Sequence, residues 1–340
     1  MHRLIYCSTL SLLSLAAIAS AFAASKSSHS HHFDNPIVEQ RADPWLVRHD
    51  SGCYTFIGTS PQFDQIELRQ SCDLNQLDSA TPKVIWQKHD SGPMSLNIWA
   101  PELHQIDDHW YIYFAASSVE QPFNIRMYVL ANEHENPLEG EWQERGQLTT
   151  HIDSFSLDAT VFEHHGQHYL AWAQQDAEAS YNSAIWLAKM KSPTEIELPP
   201  TLLTEPTLDW EIQGYKVNEG PAVIAKHGRI FMTYSASATD HRYAMGLLHV
   251  PEDADLLDAS VWQKSPQPVF ATNAELSRFG PGHNGFVKCP QGDHDLMIYH
   301  ARDYQQLQGG PLGDPNRHAR LRVVDWDEHG MPDFRPAEAD

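Results

Sequence analysis

Basic residues are scarce in this 340-residue chain: 23 Lys and Arg stand against 45 Asp and Glu, a formal net charge of −22. No long basic run offsets the excess. A surface of that sign repels phosphate backbones, which argues against a nucleic-acid partner, whereas a neutral sugar needs no charge steering. Long apolar runs are also missing, with one exception, LSLLSLAAIA from Leu10. It is too short to span a bilayer. Behind Arg3 and ahead of Ala21-Phe22-Ala23 it reads as the centre of a secretory signal over residues 1–24, which predicts a secreted or periplasmic protein with no membrane attachment once the signal is removed. Cysteine is sparse too. Of four, Cys7 precedes the apolar run and none stands at the cleavage point, so no lipid anchor is expected.

Helical patterning is absent from the remainder. Apolar residues do not recur at i, i+3 and i+4; they alternate over four to eight residues between Gly, Asp and Asn turns, the signature of strands and hairpins. The alternation comes in five copies: RADPWLVRHDSGCYTFIGTS from Arg41, IWAPELHQIDDHWYIYFAAS from Ile98, SLDATVFEHHGQHYLAWAQQ from Ser156, VNEGPAVIAKHGRIFMTYSA from Val217 and GPGHNGFVKCPQGDHDLMIYHA from Gly280. Each opens on a polar or small residue and runs through an apolar strand and a turn into an aromatic-rich second strand. Aligned on Asp43, Ala100, Asp158, Glu219 and His283, the copies are spaced by 57, 58, 61 and 64 residues. Radial repetition of small antiparallel sheets builds a β-propeller. The expected fold is therefore all-β, a five-bladed β-propeller, and its innermost strands bring the opening residues together on the axis.

The polar tract over 25–34 is expected to be a disordered spacer. Its His29, His31 and His32 read as a flexible surface tract or as a metal-catching one. The propeller is expected over 35–340 as one domain, with the tail RLRVVDWDEHGMPDF adding a strand near the N-terminal segment to close the ring, and with no separate carbohydrate-binding module. Pairing YTFIGT with IELRQS about a turn near Pro61-Gln62-Phe63-Asp64 sets Cys53 opposite Cys72, as a cross-strand disulfide or as two buried thiols. Cys289 is left as a buried thiol. Trp110, Tyr111, Tyr113, Tyr169 and Trp172 fall on second strands and are expected in the core between blades.

Carboxylates brought together in a dry channel push one another's pKa values apart, leaving one as acid and another as base. Asp43 in RADP, Asp158 in LDA and Glu219 in NEGP each stand where small or rigid residues open a strand. One such residue reads as a turn carboxylate; three at equivalent repeat positions read as chemistry.

RADPW, IELRQSCDL, HDSGPMSLNIWAPELHQIDDHWYIYFAAS, SLDATVF, NEGPAV, GPGHNGF and YHARDYQQLQGGPLGDPNRHARLRVVDWDEHGMPDF occur in this order from Arg41 to Phe334. Together they resemble glycoside hydrolase family 43, five-bladed propeller enzymes, and most of all its α-L-arabinofuranosidases, including exo-acting enzymes on α-1,5-arabinan. The resemblance implies an inverting glycosidase acting on plant cell-wall polysaccharide or oligosaccharide, arabinan or arabinoxylan. It makes Asp43 the general base, Asp158 the residue that orients the acid and raises its pKa, and Glu219 the general acid. An inverting site leaves room for water between base and sugar, with carboxyls about 6.5–9.5 Å apart. His283 matches a family histidine on the axis that organises a metal, a calcium ion with a largely water shell, or stands there as a core histidine; the hydrolytic chemistry itself requires no cofactor. Trp99, as an aromatic wall or as core, Glu102 beside it, and Arg302 with its fork of donors are the candidate substrate contacts. β-D-xylosidase activity is the nearest alternative within the family, and a propeller that binds polysaccharide without cleaving it is the alternative outside it. Phosphorolysis would need a basic cluster for which only Arg302 is a candidate.

Overall fold

A computed structural model describes residues 33–335 apart from Gln291 and Asp293. The expected secretory signal and His29, His31 and His32 lie outside the described residues. Three short 3₁₀ turns are the only helical segments among those described.

Five antiparallel sheets follow in chain order. Blade one holds β1 (Ala42–Arg48), β2 (Tyr54–Thr59), β3 (Gln65–Ser71) and β4 (Lys83–Gln87). Blade two holds β5 (Leu96–Ile106), β6 (His109–Ser118), β7 (Gln121–Asn132) and β8 (Gln143–Gln147). Blade three holds β9 (Ser156–His164), β10 (Gln167–Gln174) and β11 (Ala184–Ser192), with β12 (Glu195–Ile196) and β13 (Thr201–Thr204) both on β11. Blade four holds β14 (Asn218–Lys226), β15 (Arg229–Ala236), β16 (Ala244–Pro251) and β17 (Gln263–Lys264). Blade five holds only β18 (Phe279–Lys288), β19 (Asp295–Arg302) and β20 (His318–Val323). Its outer edge is taken by the N-terminal segment: Val38 bridges Ala319 antiparallel, and the Ala319 N–H donates to the Val38 carbonyl at 2.9 Å. The ring is thus closed by pairing the first described residues with the last blade, which leaves that edge strand covered. The rest of the tail folds back as a small hairpin, β21 (Asp325–Trp326) with β22 (Pro332–Asp333).

The core is divided among the seams between blades. Trp110 packs with Ile57 and Leu68 between blades one and two, Tyr113 and Trp172 between two and three, and Tyr169 with Met232 and Tyr234 between three and four. Tyr111 is half-buried against the second of these seams. Alternation along each strand gives one face to each neighbouring seam, so these aromatic second strands bury both faces. Cys53 and Cys72 form a disulfide at the end of the β2–β3 hairpin, where Tyr54 faces Ser71, and Cys289 is a buried thiol outside any disulfide.

All five inner strands break register at the same point. Pairing skips between Ala42 and Trp45, Trp99 and Glu102, Leu157 and Thr160, Glu219 and Ala222, and Gly282 and Gly285. The first bulged residue has a left-handed φ each time: Asp43 +52°, Ala100 +41°, Asp158 +57°, Gly220 +55° and His283 +44°. Side chains other than glycine rarely adopt this region, and such strain gathers where a bulge re-aims a residue at a functional site. The bulges also correct the repeat alignment. In blade four the equivalent position is Gly220, not Glu219, and glycine suits it because an added Cβ there would come 3.1 Å from the His283 ring.

Candidate active site

The openings of the inner strands surround a cavity of about 510 Å³, lined among others by Asp43, Trp99, Asp158, Glu219, His283 and Arg317. A second cavity lies at the other ends of these strands, against Trp45, His104 and Val223. The second is lined by Asp50 and Asp295, away from the bulges, whereas the carboxyls of the first, Asp43, Asp158 and Glu219, stand at a bulge or directly before one.

Asp43 is held from every side. Its Oδ2 accepts the Thr59 hydroxyl at 2.7 Å, and Arg317 Nη1 lies 3.3 Å from Oδ1. His283 Nδ1 stands 3.3 Å from the same oxygen. The Asp43 backbone N–H donates to His300 Nδ1 at 3.0 Å, so that nitrogen is the bare acceptor and the ring proton belongs on Nε2. Burial pushes Asp43 upward, but the Arg317 guanidinium, with His283 and His300, outweighs it and holds the carboxyl well below the usual range. His283 and His300 are themselves shifted down by burial, His300 to about 3, and are neutral at pH 7.

Glu219 lies in the opposite regime. Burial raises it to about 7, the Asp43 charge adds to the rise, and the Tyr243 hydroxyl, donating to Oε1 at 2.9 Å, and Arg317 oppose it. Asp158 accepts the Gly220 N–H on Oδ2 at 3.0 Å and is likewise raised, by burial first and then by Glu219 and Asp43. Glu219 and Asp158 are thus both raised, beside an Asp43 held in its ionised form. A charged base and a protonated acid facing one cavity are the two groups that displacement at an acetal carbon needs.

Of the expected substrate contacts, Trp99 lines the cavity, braced edge-on by Phe63 at 5.9 Å. Glu102 does not. It lies past the bulge at Ala100, buried, with His104 Nε2 at 2.9 Å from its carboxyl. Burial without a cation raises it well above the ordinary value. Arg302 is a second correction: it too misses the cavity, because its donors are spent on the carbonyls of Thr239 and Pro311 at 2.9 Å and on Asp314. Arg317 is the guanidinium in the cavity. It, Tyr243 and His300 escaped sequence reading; the signal for Arg317 was its place directly after the Gly- and Pro-rich stretch GGPLGDPN.

For calcium the donor set is thin. His283 Nε2 is buried without a partner, an available single nitrogen on the axis, but among the described residues no group of three His, Cys, Asp or Glu forms a metal-binding cluster. Calcium takes six to eight oxygens, so these residues fit a water-shelled ion touching His283 and not a protein cage.

The family model for glycosyl hydrolases family 43 matches residues 33–332. An extracellular exo-alpha-(1->5)-L-arabinofuranosidase of Streptomyces avermitilis is 48% identical over 320 residues, covering 94% of this chain and 66% of the relative. One of the same description from Streptomyces chartreusis is 47% identical over 279 residues, covering 82% and 85%. The chain thus spans about two thirds of the length of the first relative. The crystal structure of an alpha-L-arabinofuranosidase from Lactobacillus brevis superimposes with a TM-score of 0.87 at 46% identity, covering 91% of this chain and 98% of that one.

Proposed function

Since the chain belongs to glycosyl hydrolases family 43, we propose that it is an exported enzyme releasing terminal α-L-arabinofuranosyl groups from arabinan or arabino-oligosaccharides, with inversion at the anomeric carbon. The observation that carries this reading is the opposed ionisation of two carboxyls on one cavity, Asp43 held charged and Glu219 raised to about 7. The relatives named extracellular support export.

In the proposed reaction the glycosidic oxygen of the bound sugar faces Glu219 and a water lies between Asp43 and the anomeric carbon. Asp43 takes a proton from the water as its oxygen bonds to that carbon; the bond to the leaving oxygen breaks, and the Glu219 proton passes to it. Attack from the face opposite the leaving group turns an α-linkage into a β-product. Arg317 keeps Asp43 ionised while the sugar displaces solvent, and Asp158, accepting the Gly220 N–H, holds the backbone next to Glu219 in place. A calcium ion on His283 would supply a fixed positive charge on the axis.

Exo action rests on the rim. Phe123 of blade two, Tyr215 ahead of blade four and Leu312 of blade five are exposed large side chains lining the mouth from three directions, a collar suited to one terminal residue and a departing chain. The test is turnover of 4-nitrophenyl α-L-arabinofuranoside against the β-D-xyloside. A kcat/KM at least tenfold higher for the arabinoside, with arabinose as the sole early product from linear arabinan, is expected. Preference for the xyloside keeps the carboxylate roles and changes the sugar; cleavage of neither overturns the reading.

A further inference from the structure

The segment between β19 and β20, residues 303–317, makes two contributions to the cavity. Gly310, Pro311, Leu312 and Gly313 form part of its wall, and Arg317 reaches Asp43. It contains no strand or helix, and three glycines and two prolines within seven residues give it a composition that turns readily but does not hold one shape. Its fixity has to come from side chains.

Asp314 is where they meet. The residue is 1% exposed. Its carboxylate accepts the Tyr304 hydroxyl at 2.9 Å from both oxygens, the Gln308 N–H at 2.8 Å and the Asn316 N–H at 3.0 Å, with Arg302 Nε at 3.5 Å. Asn316 Nδ2 donates in turn to the Tyr304 oxygen at 2.7 Å. The Asp314 and Pro311 carbonyls accept from Arg302 Nη2, and Arg302 Nη1 reaches the Thr239 carbonyl beyond β15, so the knot is tied to both blade five and blade four. Donors from 304, 308 and 316 converge on one carboxylate, a charge-assisted arrangement that ties both ends of the segment to its middle.

We propose that Asp314 is a positioning residue for the reaction: by knotting this segment it holds Arg317 on Asp43 and keeps that carboxylate aimed into the cavity. The inference rests on the hydrolytic reading above. Arg302, expected from its sequence position to touch substrate, acts through this knot instead. The groups facing Asp43 are Arg317 from the segment, Thr59 from β2, His283 from β18, His300 from β19, and the carboxyls of Asp158 and Glu219 across the cavity. Of these Arg317 alone is a cation at neutral pH, and it alone depends on the segment. When it drifts, Asp43 loses the contact that fixes its Oδ1.

The test compares Asp314→Asn, Tyr304→Phe, Arg317→Ala and the Asp314→Asn/Arg317→Ala double variant in the full chain, with kcat and KM measured separately on whichever aryl glycoside the parent cleaves. Asp314→Asn is expected to lower kcat at least tenfold while leaving KM nearly unchanged, the same split as in Arg317→Ala. Tyr304→Phe should do the same to a smaller degree, and the double variant should be no slower than Arg317→Ala alone, because the two changes remove one effect. An unchanged kcat in both Asp314→Asn and Tyr304→Phe, or a double variant in which the losses multiply, overturns the proposal. Should Asp314→Asn fail to fold, kcat in Tyr304→Phe decides by itself. A parent without activity counts against the hydrolytic reading and not against the knot, which Asp314→Asn then tests through the Arg317 Nε–H signal in nitrogen-15 NMR: loss of its ordered signal is expected, and an unchanged signal overturns the proposal.

Discussion

Glu219→Gln lowers turnover of arabino-oligosaccharides by about 10²–10⁴-fold, the usual contribution of a positioned general acid, with a far-ultraviolet spectrum and thermal transition like those of the parent. Glutamine preserves the acceptor for the Tyr243 hydroxyl and adds no charge, so the loss reports the missing proton. Two finer results separate this from general damage. Aryl substrates whose leaving group needs little protonation are less affected than oligosaccharides. In the parent, the acid must be protonated, so kcat/KM is full below about 7 and falls as pH rises through that value; in Glu219→Gln this alkaline limb disappears. Retention of the limb in steady-state profiles of the variant would assign it to another group and remove Glu219 from the acid role.

Asp43→Ala is expected to be as severe, about 10²–10⁴-fold, but with the opposite dependence on leaving group. Asp43 serves the attacking water, so a better leaving group does not restore the rate. Its acid limb also has a definite sign. Arg317 and the axial imidazoles hold Asp43 well below the ordinary carboxylate range, so in the parent activity persists on the acid side until pH falls through that depressed value. Burst-free steady-state kinetics on a series of aryl arabinofuranosides measures both points. A rate for Asp43→Ala that rises with leaving-group acidity toward the parent's would mean that this carboxylate does not activate water.

How much of this was legible in the sequence depends on the range of the interaction involved. The disulfide was accessible because it needs only a hairpin register, and Tyr54 does face Ser71 beside Cys53 and Cys72. The five blades were accessible because alternation and turn residues repeat at nearly constant spacing. Closure by Val38 on Ala319 followed from the need to cover an edge. Glu219 does line the cavity, but the reason was off by one residue: the repeat position is Gly220, and Glu219 stands one step before the bulge, in the row of Trp99 and Leu157, which also face the cavity. Glycine at a position where Asp43, Ala100, Asp158 and His283 all turn left-handed was the available signal.

Glu102 was expected in the cavity because it follows Trp99 closely in the chain, but the bulge at Ala100 comes between them and it lies buried with His104. The remaining omissions are long-range. Arg317 meets Asp43 across 274 residues and His300 meets it across 257; no local pattern distinguishes these side chains from others of their type until the ring is closed. Arg302 and Arg317 stand 15 positions apart on either side of one loop, and only the carbonyls that Arg302 satisfies reveal which of them is free to serve the base.

The central claim is that Asp43 and Glu219 act on opposite faces of one sugar. Proton NMR of the first product released from 4-nitrophenyl α-L-arabinofuranoside, recorded before mutarotation, tests it most directly. The account predicts β-arabinofuranose as the initial anomer, with the α-form growing in only afterwards; α-arabinofuranose appearing first would mean double displacement through a covalent intermediate and would contradict the assignment of Asp43 as a base for water.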